Sequence, residues 1–249
     1  MIKKQLLAII MLVCLTISCS SDDDTVTMDL ITHFDGNLEI NSLADLEDPA
    51  IQGYKTINGN LIIRNTDDIE DLRAFENLEA INGRLYILNN DNLKSLQGLE
   101  NITELNLLVI KDNPELISLV GIDNLASISD TLSIENNDSL ETLSSLNNLT
   151  TIGNQFSLFF NLTLTNLNGL ENLQSVPQVL ILGNDNLETI DGLDGITFSN
   201  HIGISLNESL TDYCSLVQLA QANPTLLFFP ELNSYNPTLD DLINNNCSN

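Results

Sequence analysis

Residues 81–102 read Ile81-Asn-Gly-Arg-Leu-Tyr-Ile-Leu-Asn-Asn-Asp-Asn-Leu-Lys-Ser-Leu-Gln-Gly-Leu-Glu-Asn-Ile102, and this stretch decides the fold. Copies of it recur at steps of 23 or 24 residues when the last apolar residue of each predicted strand is taken as an anchor. A period this regular indicates stacked units that cannot bury their apolar face alone. The anchors are Ile40, Ile63, Ile87, Ile110, Ile134, Leu158, Ile181 and Ile204.

The apolar spacing changes within each repeat. Leu85 and Ile87 alternate with outward residues, which predicts a strand, whereas Leu93 and Leu96 begin a spacing of three that predicts corners or short 3₁₀ turns. Successive strands would stack in parallel about 4.8 Å apart around one continuous core. We therefore predict a mainly β fold, a parallel β-helix or leucine-rich-repeat-like solenoid of about eight coils, over residues 34–210.

The repeat pattern ends near residue 210, and residues 211–249 predict a small helical C-terminal cap. Apolar residues return at helical spacing in residues 211–220 and 237–243. Beyond the N-terminal segment and Cys19, the thiols are Cys214 and Cys247. A disulfide between them would close a 33-residue loop and stabilise the cap by about 3–4 kcal/mol. Two free thiols are the alternative, which an exported protein disfavours.

The N-terminus predicts export. Residues 1–18 combine basic Lys3 and Lys4 with a short apolar stretch, as a signal peptide does. The Ser18-Cys19 junction resembles a bacterial lipoprotein cleavage box, which implies a lipid on Cys19 and a bacterial outer membrane location facing the cell exterior. The acidic residues after Cys19 resemble the tag of surface-exported lipoproteins, so residues 19–33 are predicted to be an acidic tether. An ordinary cleaved signal followed by a solvated linker is the alternative.

Charge excludes several partners. The chain has 8 Lys and Arg against 35 Asp and Glu, a formal net charge of −27, and the predicted signal would remove two of the cations. Nucleic acid and anionic lipid surfaces would repel such a chain. We therefore expect no nucleic acid partner, and contact with a membrane only through the lipid on Cys19.

The strand pattern Ile-x-Gly-x-Leu-x-Ile at residues 57–63 and 81–87, followed by Asn-x-x-Leu-x-x-Leu-x-x-Leu, resembles the receptor L domain. That family forms ligand-binding lobes of the insulin and epidermal growth factor receptors and also occurs in fungal wall and bacterial surface proteins. The resemblance covers roughly residues 34–210. It implies a right-handed parallel β-helix with a binding sheet face and no enzymatic activity. Receptor signalling is not implied, since the Cys-rich modules, membrane helix and kinase are missing.

Two polar columns follow the anchors. Stacked Asn amides can bond the backbone of the next coil, so a structural ladder is predicted rather than a catalytic role. Its residues are Asn90, Asn113, Asn137, Asn161, Asn184 and Asn207. Beside it lies an acidic column, for which solvated turns are favoured over a Ca²⁺ site because Pro114 and Leu162 interrupt it. Its residues are Asp67, Asp91, Asp138, Asp185 and Glu208.

The outward strand positions form the candidate ligand-binding face. They carry apolar side chains where solvent alone would favour polar ones, which usually marks a contact surface. The alternative is that another segment, such as the one around Phe34, covers them. The candidate residues are Ile62, Arg64, Arg84, Tyr86, Leu88, Val109, Lys111, Phe159, Leu180 and Leu182.

Catalysis finds little support in the sequence. The two His residues, His33 and His201, lie at opposite ends of the predicted rod, and no hydrolase, zinc or phosphate-loop motif occurs. We predict a non-catalytic cell-surface recognition or adhesion module for a protein or glycan ligand, with no cofactor and no metal. The rival is a polysaccharide lyase or another Ca²⁺-dependent carbohydrate-active enzyme, with an Arg or Lys of the outward face as the base.

Overall fold

The computed structural model describes residues 32–249, and a parallel sheet of nine strands dominates this part of the chain. Its strands lie side by side in the order of the sequence. With all strands numbered along the chain, they are β2 (Leu38–Ile40), β4 (Leu61–Thr66), β6 (Leu85–Asn90), β8 (Leu108–Lys111), β10 (Thr131–Glu135), β12 (Gln155–Phe159), β13 (Gln178–Leu182), β14 (His201–Ser205) and β15 (Leu227–Glu231).

Short strands form two further parallel sheets of three strands each, on the approach to the main strands. One contains β1 (His33–Phe34), β3 (Thr56–Ile57) and β5 (Ala80–Ile81), and the other contains β7 (Glu104–Leu105), β9 (Ser127–Ile128) and β11 (Thr151–Ile152). The helices are α1 (Leu43–Leu46), α2 (Val217–Ala222) and α3 (Leu239–Ile243). The prediction of a mainly β fold is confirmed, and the all-parallel sheet is consistent with a solenoid. The number of coils and their handedness stay predictions.

The sequence period appears directly as strand register. Leu85 pairs with Leu108, and Leu108 pairs with Leu132, so equivalent positions of successive repeats lie side by side. Inward residues such as Leu85 and Ile87 are fully buried, whereas Tyr86 between them keeps part of its surface in solvent. Burying a side chain of this size contributes roughly 1.5–3 kcal/mol. The repeated inward columns therefore build one continuous core.

The return path turns at every third residue. The backbone N–H of Leu99 donates to the carbonyl of Leu96 at 3.3 Å, and that of Ile102 donates to Leu99 at 3.0 Å, which is the 3₁₀ pattern. Gly98 follows the Leu96 corner with a φ of +113°, and a Cβ there would collide with the carbonyl oxygen of Leu72 in the preceding repeat. Only glycine fits both conditions.

From β4 onward, each main strand ends at a left-handed residue that is followed by a buried Asn or Thr. At these corners, the backbone N–H of one Asn donates to the side-chain oxygen of the next at 3.0–3.2 Å. The side-chain amides follow the same path at 2.9–3.3 Å. The six predicted Asn residues therefore form a hydrogen-bonded column along the described chain. Thr66 begins the column, and Asn233 and Asn236 end it.

The C-terminal segment 211–249 contains more than the predicted helices, since β15 extends the main sheet by one strand. Leu227 donates its N–H to Asn200, and the carbonyl of Glu231 accepts from Leu206, so these residues face β14. The backbone groups of Phe228 and Pro230 consequently face outward. Pro230 has no N–H to offer, which discourages another strand from pairing at this edge.

The predicted disulfide is confirmed. Cys214 and Cys247 are bonded with their Cα atoms 4.8 Å apart. Helix α3 begins with a capping box, in which the Thr238 hydroxyl accepts from the Asp241 N–H while the Asp241 carboxylate accepts from the Thr238 N–H. The hydrogen bonds from Thr238 hold the pKa of Asp241 below its ordinary value.

The predicted signal peptide, residues 1–18, and the lipidation site Cys19 lie outside the described residues. The predicted tether, residues 19–33, lies outside them except at its end, where His33 already belongs to β1. Between residues 32 and 249, none of the helices has the length and apolarity needed to cross a membrane.

Candidate functional site

The candidate binding face is the outer surface of the main sheet, where the strand register arranges side chains in three columns. Along the middle column, Ile62 pairs with Tyr86, Tyr86 with Val109, and Leu180 with Gly203. Parallel in-register pairing thus brings side chains from nine strands into one strip. The middle column contains Glu39, Ile62, Tyr86, Val109, Ser133, Ser157, Leu180, Gly203 and Phe229.

The apolar residues of this face are neither fully buried nor fully exposed to solvent. Each predicted apolar residue keeps an intermediate share of its surface in solvent. Ser133 and Ser157 are only 6% and 1% exposed, and their hydroxyls are hydrogen-bonded to Glu135 and Gln155 respectively. The predicted apolar residues of this face are therefore half-buried. They are Ile62, Tyr86, Leu88, Val109, Phe159, Leu180 and Leu182.

Two of the three cations of the face are hydrogen-bonded to carboxylates one repeat away. Arg64 Nε donates to Glu39 Oε1 at 2.6 Å, and Lys111 Nζ donates to Glu135 Oε2 at 3.0 Å. The hydrogen bond to Glu135 and its charge raise the pKa of Lys111 above its ordinary value. These exposed pairs contribute little to stability, about 0–1 kcal/mol each. Because each pair joins one positive and one negative charge, Arg64 and Lys111 add little net charge to the face.

Arg84 stands at the head of the face and donates from Nη1 to the hydroxyl of Tyr86 at 3.3 Å. This contact ties the Tyr86 hydroxyl to a residue two positions earlier in the same strand. The same outward column continues at Gln178 and His201, whose side chains are 3.4 Å apart at their nitrogens. The His201 ring meets Phe229 edge to face, with 5.3 Å between ring centroids. The column therefore supplies hydrogen-bonding groups beside an apolar strip.

A shallow groove of about 160 Å³ crosses the C-terminal half of the face. Its walls are Phe159, Leu180 and Leu182. Gly203 and Ser205 also line the groove, and their small side chains leave it open on that side. An apolar groove beside polar groups can bind a ligand by burying its apolar surface while the rim fixes its orientation.

The acidic column lies apart from this face, and its five predicted residues are exposed. In residues 32–249, no group of three His, Cys, Asp or Glu side chains is placed to hold a metal ion. The acidic turns therefore face solvent as separate carboxylates.

A polar cleft was not anticipated from the sequence. The short sheets are interrupted between β5 and β7, and a cleft of about 340 Å³ opens there, lined by Asn82, Glu104, Asn106 and Ser127 among others. A signal for it exists, since the linker Asn106-Leu107 between strands is one residue shorter than Asn82-Gly83-Arg84.

A second unanticipated feature is an apolar patch at the corner after the main strands. Phe160, Leu206 and Leu232 are 44%, 43% and 70% exposed, and their φ angles are 55°, 59° and 58°. We call these three residues the corner patch. The signal for it is that Phe or Leu replaces the Asn that occupies the same corner at Asn65 and Asn89.

Comparison with known proteins bears on the N-terminal part of the sheet. A family model described as the receptor L domain matches residues 32–123, which include β2, β4, β6 and β8. No curated protein sequence matches the chain. Over residues 32–123 the chain is thus similar to a family of ligand-binding domains without enzymatic activity.

Proposed function

We propose that this protein is a non-catalytic recognition module of the bacterial cell surface that presents the outer face of its parallel sheet to a protein or glycan ligand. The observation that carries the proposal is the strip of half-buried apolar side chains contributed by successive strands. Surfaces that merely meet water rarely align apolar residues in this way. The receptor L domain match supports the general role of ligand binding.

The three cations of the outer face are already hydrogen-bonded within the chain, which argues against the lyase alternative. A general base must be unprotonated to accept a proton. Lys111 is bonded to Glu135, and the resulting rise in its pKa holds it protonated. Arg64 is held by Glu39, and Arg84 is occupied by Tyr86. Incubating the protein with acidic polysaccharides, with and without a chelator, tests this alternative, because a lyase would form an unsaturated product that absorbs in the ultraviolet.

We further propose that a lipid on Cys19 anchors the module to the outer membrane, facing the exterior, and that the acidic residues after it act as a tether. The Ser18-Cys19 junction and the acidic run that follows support this placement. Cell fractionation of a Cys19→Ala variant tests it. Release of the variant into the medium or periplasm is expected, whereas unchanged retention in the membrane would contradict the anchor.

Binding is tested with two ligand collections, one of glycans and one of peptides. The full chain is screened against a glycan array and a random peptide display library, and the selected binders are tested on a Tyr86→Ser/Phe159→Ser variant. Binding should fall by about tenfold or more, as expected when buried aromatic anchors are removed. The matched control is Ile117→Ser/Phe198→Ser, which truncates two apolar residues of 47% and 48% exposure that lie off the outer face. Equal loss in both variants would contradict a site on the sheet face.

A further inference from the structure

At the C-terminal end of each main strand from β4 to β15, one corner residue adopts the left-handed conformation. Asn, Asp and Gly adopt this conformation readily, whereas Phe and Leu are strained in it. Asn or Asp occupies the first four corners, so the strained residues are confined to the C-terminal half. The eight corner residues are Asn65, Asn89, Asp112, Asn136, Phe160, Gly183, Leu206 and Leu232.

The strained residues also expose large apolar side chains, and they form one surface. A Cβ at Gly183 would collide with Cδ1 and Cε1 of Phe160, so the phenyl ring lies across the Gly183 corner toward the next repeat. Leu206 and Leu232 occupy the following two corners. The patch adjoins the groove of the outer face, because Phe159 and Leu182 are the strand residues just before the Phe160 and Gly183 corners. Strain and exposure at the same three positions point to selection for contact rather than for stability.

The surroundings of the patch are acidic, and within residues 32–249 no Lys or Arg follows Lys111. All 8 Lys and Arg residues occur at or before Lys111, whereas Asp and Glu continue to Asp241. Asp185 and Glu208 follow the Gly183 and Leu206 corners by two residues, and Glu231 precedes Leu232; all three are exposed. An apolar centre with an acidic rim complements a partner that has apolar anchors flanked by positive charge.

We propose that the corner patch binds a basic polypeptide segment in which apolar side chains alternate with Lys or Arg. The apolar side chains would cover Phe160, Leu206 and Leu232 while the cations meet the rim carboxylates. This inference rests on the proposed function, since it names the partner class for the C-terminal half of the same binding surface. A polypeptide fits better than a glycan because two of the three anchors are aliphatic and offer no ring for a sugar to stack on.

The test measures fluorescence anisotropy of short synthetic peptides bound to the full chain at physiological salt. The probes are a peptide of alternating Lys and Leu, one of alternating Lys and Ser, and one of alternating Glu and Leu. The Lys-Leu peptide should bind at least about tenfold more tightly than either control peptide, because it alone combines apolar anchors with positive charge. Equal binding of the Lys-Ser or the Glu-Leu peptide would overturn the proposal.

The variant Phe160→Asn/Leu206→Asn/Leu232→Asn places at each corner the residue that the first repeats use. It should weaken Lys-Leu binding by about tenfold or more while the melting temperature stays the same or rises, since Asn relieves the left-handed strain. The control Ile117→Asn/Val120→Asn/Phe198→Asn truncates exposed apolar residues elsewhere and should leave binding unchanged. Unchanged binding in the corner variant, or equal loss in the control, would overturn the proposal.

The Tyr86→Ser/Phe159→Ser variant separates this inference from the proposed function. If selected ligands need Tyr86 and Phe159 while the Lys-Leu peptide binds the corner variant as tightly as the unmodified chain, the sheet face is the site and the corner inference fails. If the Lys-Leu peptide needs the corner residues while no selected ligand is lost from the Tyr86→Ser/Phe159→Ser variant, the corner inference stands and the proposed face fails.

Discussion

The Asn column is the feature whose removal has the most calculable cost, and Asn137 is its central member. Its Nδ2 donates to the carbonyls of Ile110 at 3.1 Å and Glu135 at 3.0 Å and to Asn161 Oδ1 at 3.3 Å. Its Oδ1 accepts from the backbone N–H of Asn113 at 3.2 Å and from the Asn113 amide at 3.0 Å. Asn137 is fully buried.

Replacing Asn137 with Ala removes all five of these bonds. The buried N–H of Asn113 loses its acceptor, which costs about 1–3 kcal/mol, and the two lost carbonyl bonds cost about 1 kcal/mol each. The side-chain amide of Asn113 still donates to the carbonyls of Ile87 and Lys111, so losing its bond to Asn137 adds little to the cost. We expect Asn137→Ala to lower the free energy of unfolding by about 3–5 kcal/mol.

Urea titration followed by circular dichroism measures this loss as a lower midpoint at an unchanged slope. The control is Asn124→Ala, since Asn124 is exposed and its amide donates once, to the carbonyl of Glu100 at 2.8 Å. The control should cost below about 1 kcal/mol. If both variants lose the same small amount, the buried column does not hold the corners together, and the reasoning is refuted.

Three further predictions concern the C-terminal segment. Reducing the disulfide between Cys214 and Cys247 should lower the free energy of unfolding by about 3–4 kcal/mol. Rapid alkylation of both thiols in non-reduced protein from cells would contradict the disulfide. Tyr213→Phe should leave the melting temperature unchanged or higher, because among the described residues the buried Tyr213 hydroxyl has no hydrogen-bond partner; a lower melting temperature would show that the hydroxyl is needed. The pKa of Asp241 is lower in the folded chain than in the unfolded one, so the capping box should stabilise α3 fully above the unfolded pKa and lose this effect as the pH falls through the folded value. Helix α3 should then become less protected in amide exchange at acidic pH, and an Asp241→Asn variant should show less of this change.

The sequence predicts the main sheet well because the length of the sequence repeat determines which residues of neighbouring strands pair. A step of 23 or 24 residues places Leu85 beside Leu108 and Leu108 beside Leu132, as observed. The last strand breaks the period, since Ile204 pairs with Pro230 after 26 residues. Pro is also unfavourable within a strand, so the sequence pattern gives no sign of β15 inside the predicted cap.

The candidate site is harder to predict because it depends on conformation and exposure. The outward strand positions follow from alternation alone, but how far each is buried depends on its surroundings in the fold, as at Ser133 and Ser157. The corner conformation of Phe160 is imposed by the corners on either side of it, and local preference would have favoured another conformation. Repeats must therefore be aligned on the structure before an exception such as Phe160 becomes visible.

The central claim, that the sheet face binds ligand and is not covered from within, is tested most directly by measuring binding and melting on the same variants. Tyr86→Ser/Phe159→Ser should lose binding to the selected ligands with little change in melting temperature, because outward side chains carry little of the stability. Leu85→Ala should instead cost about 2–5 kcal/mol of stability through lost burial and a cavity. If the Tyr86→Ser/Phe159→Ser variant unfolds as readily as Leu85→Ala, the face is covered by the chain itself and the binding site lies elsewhere.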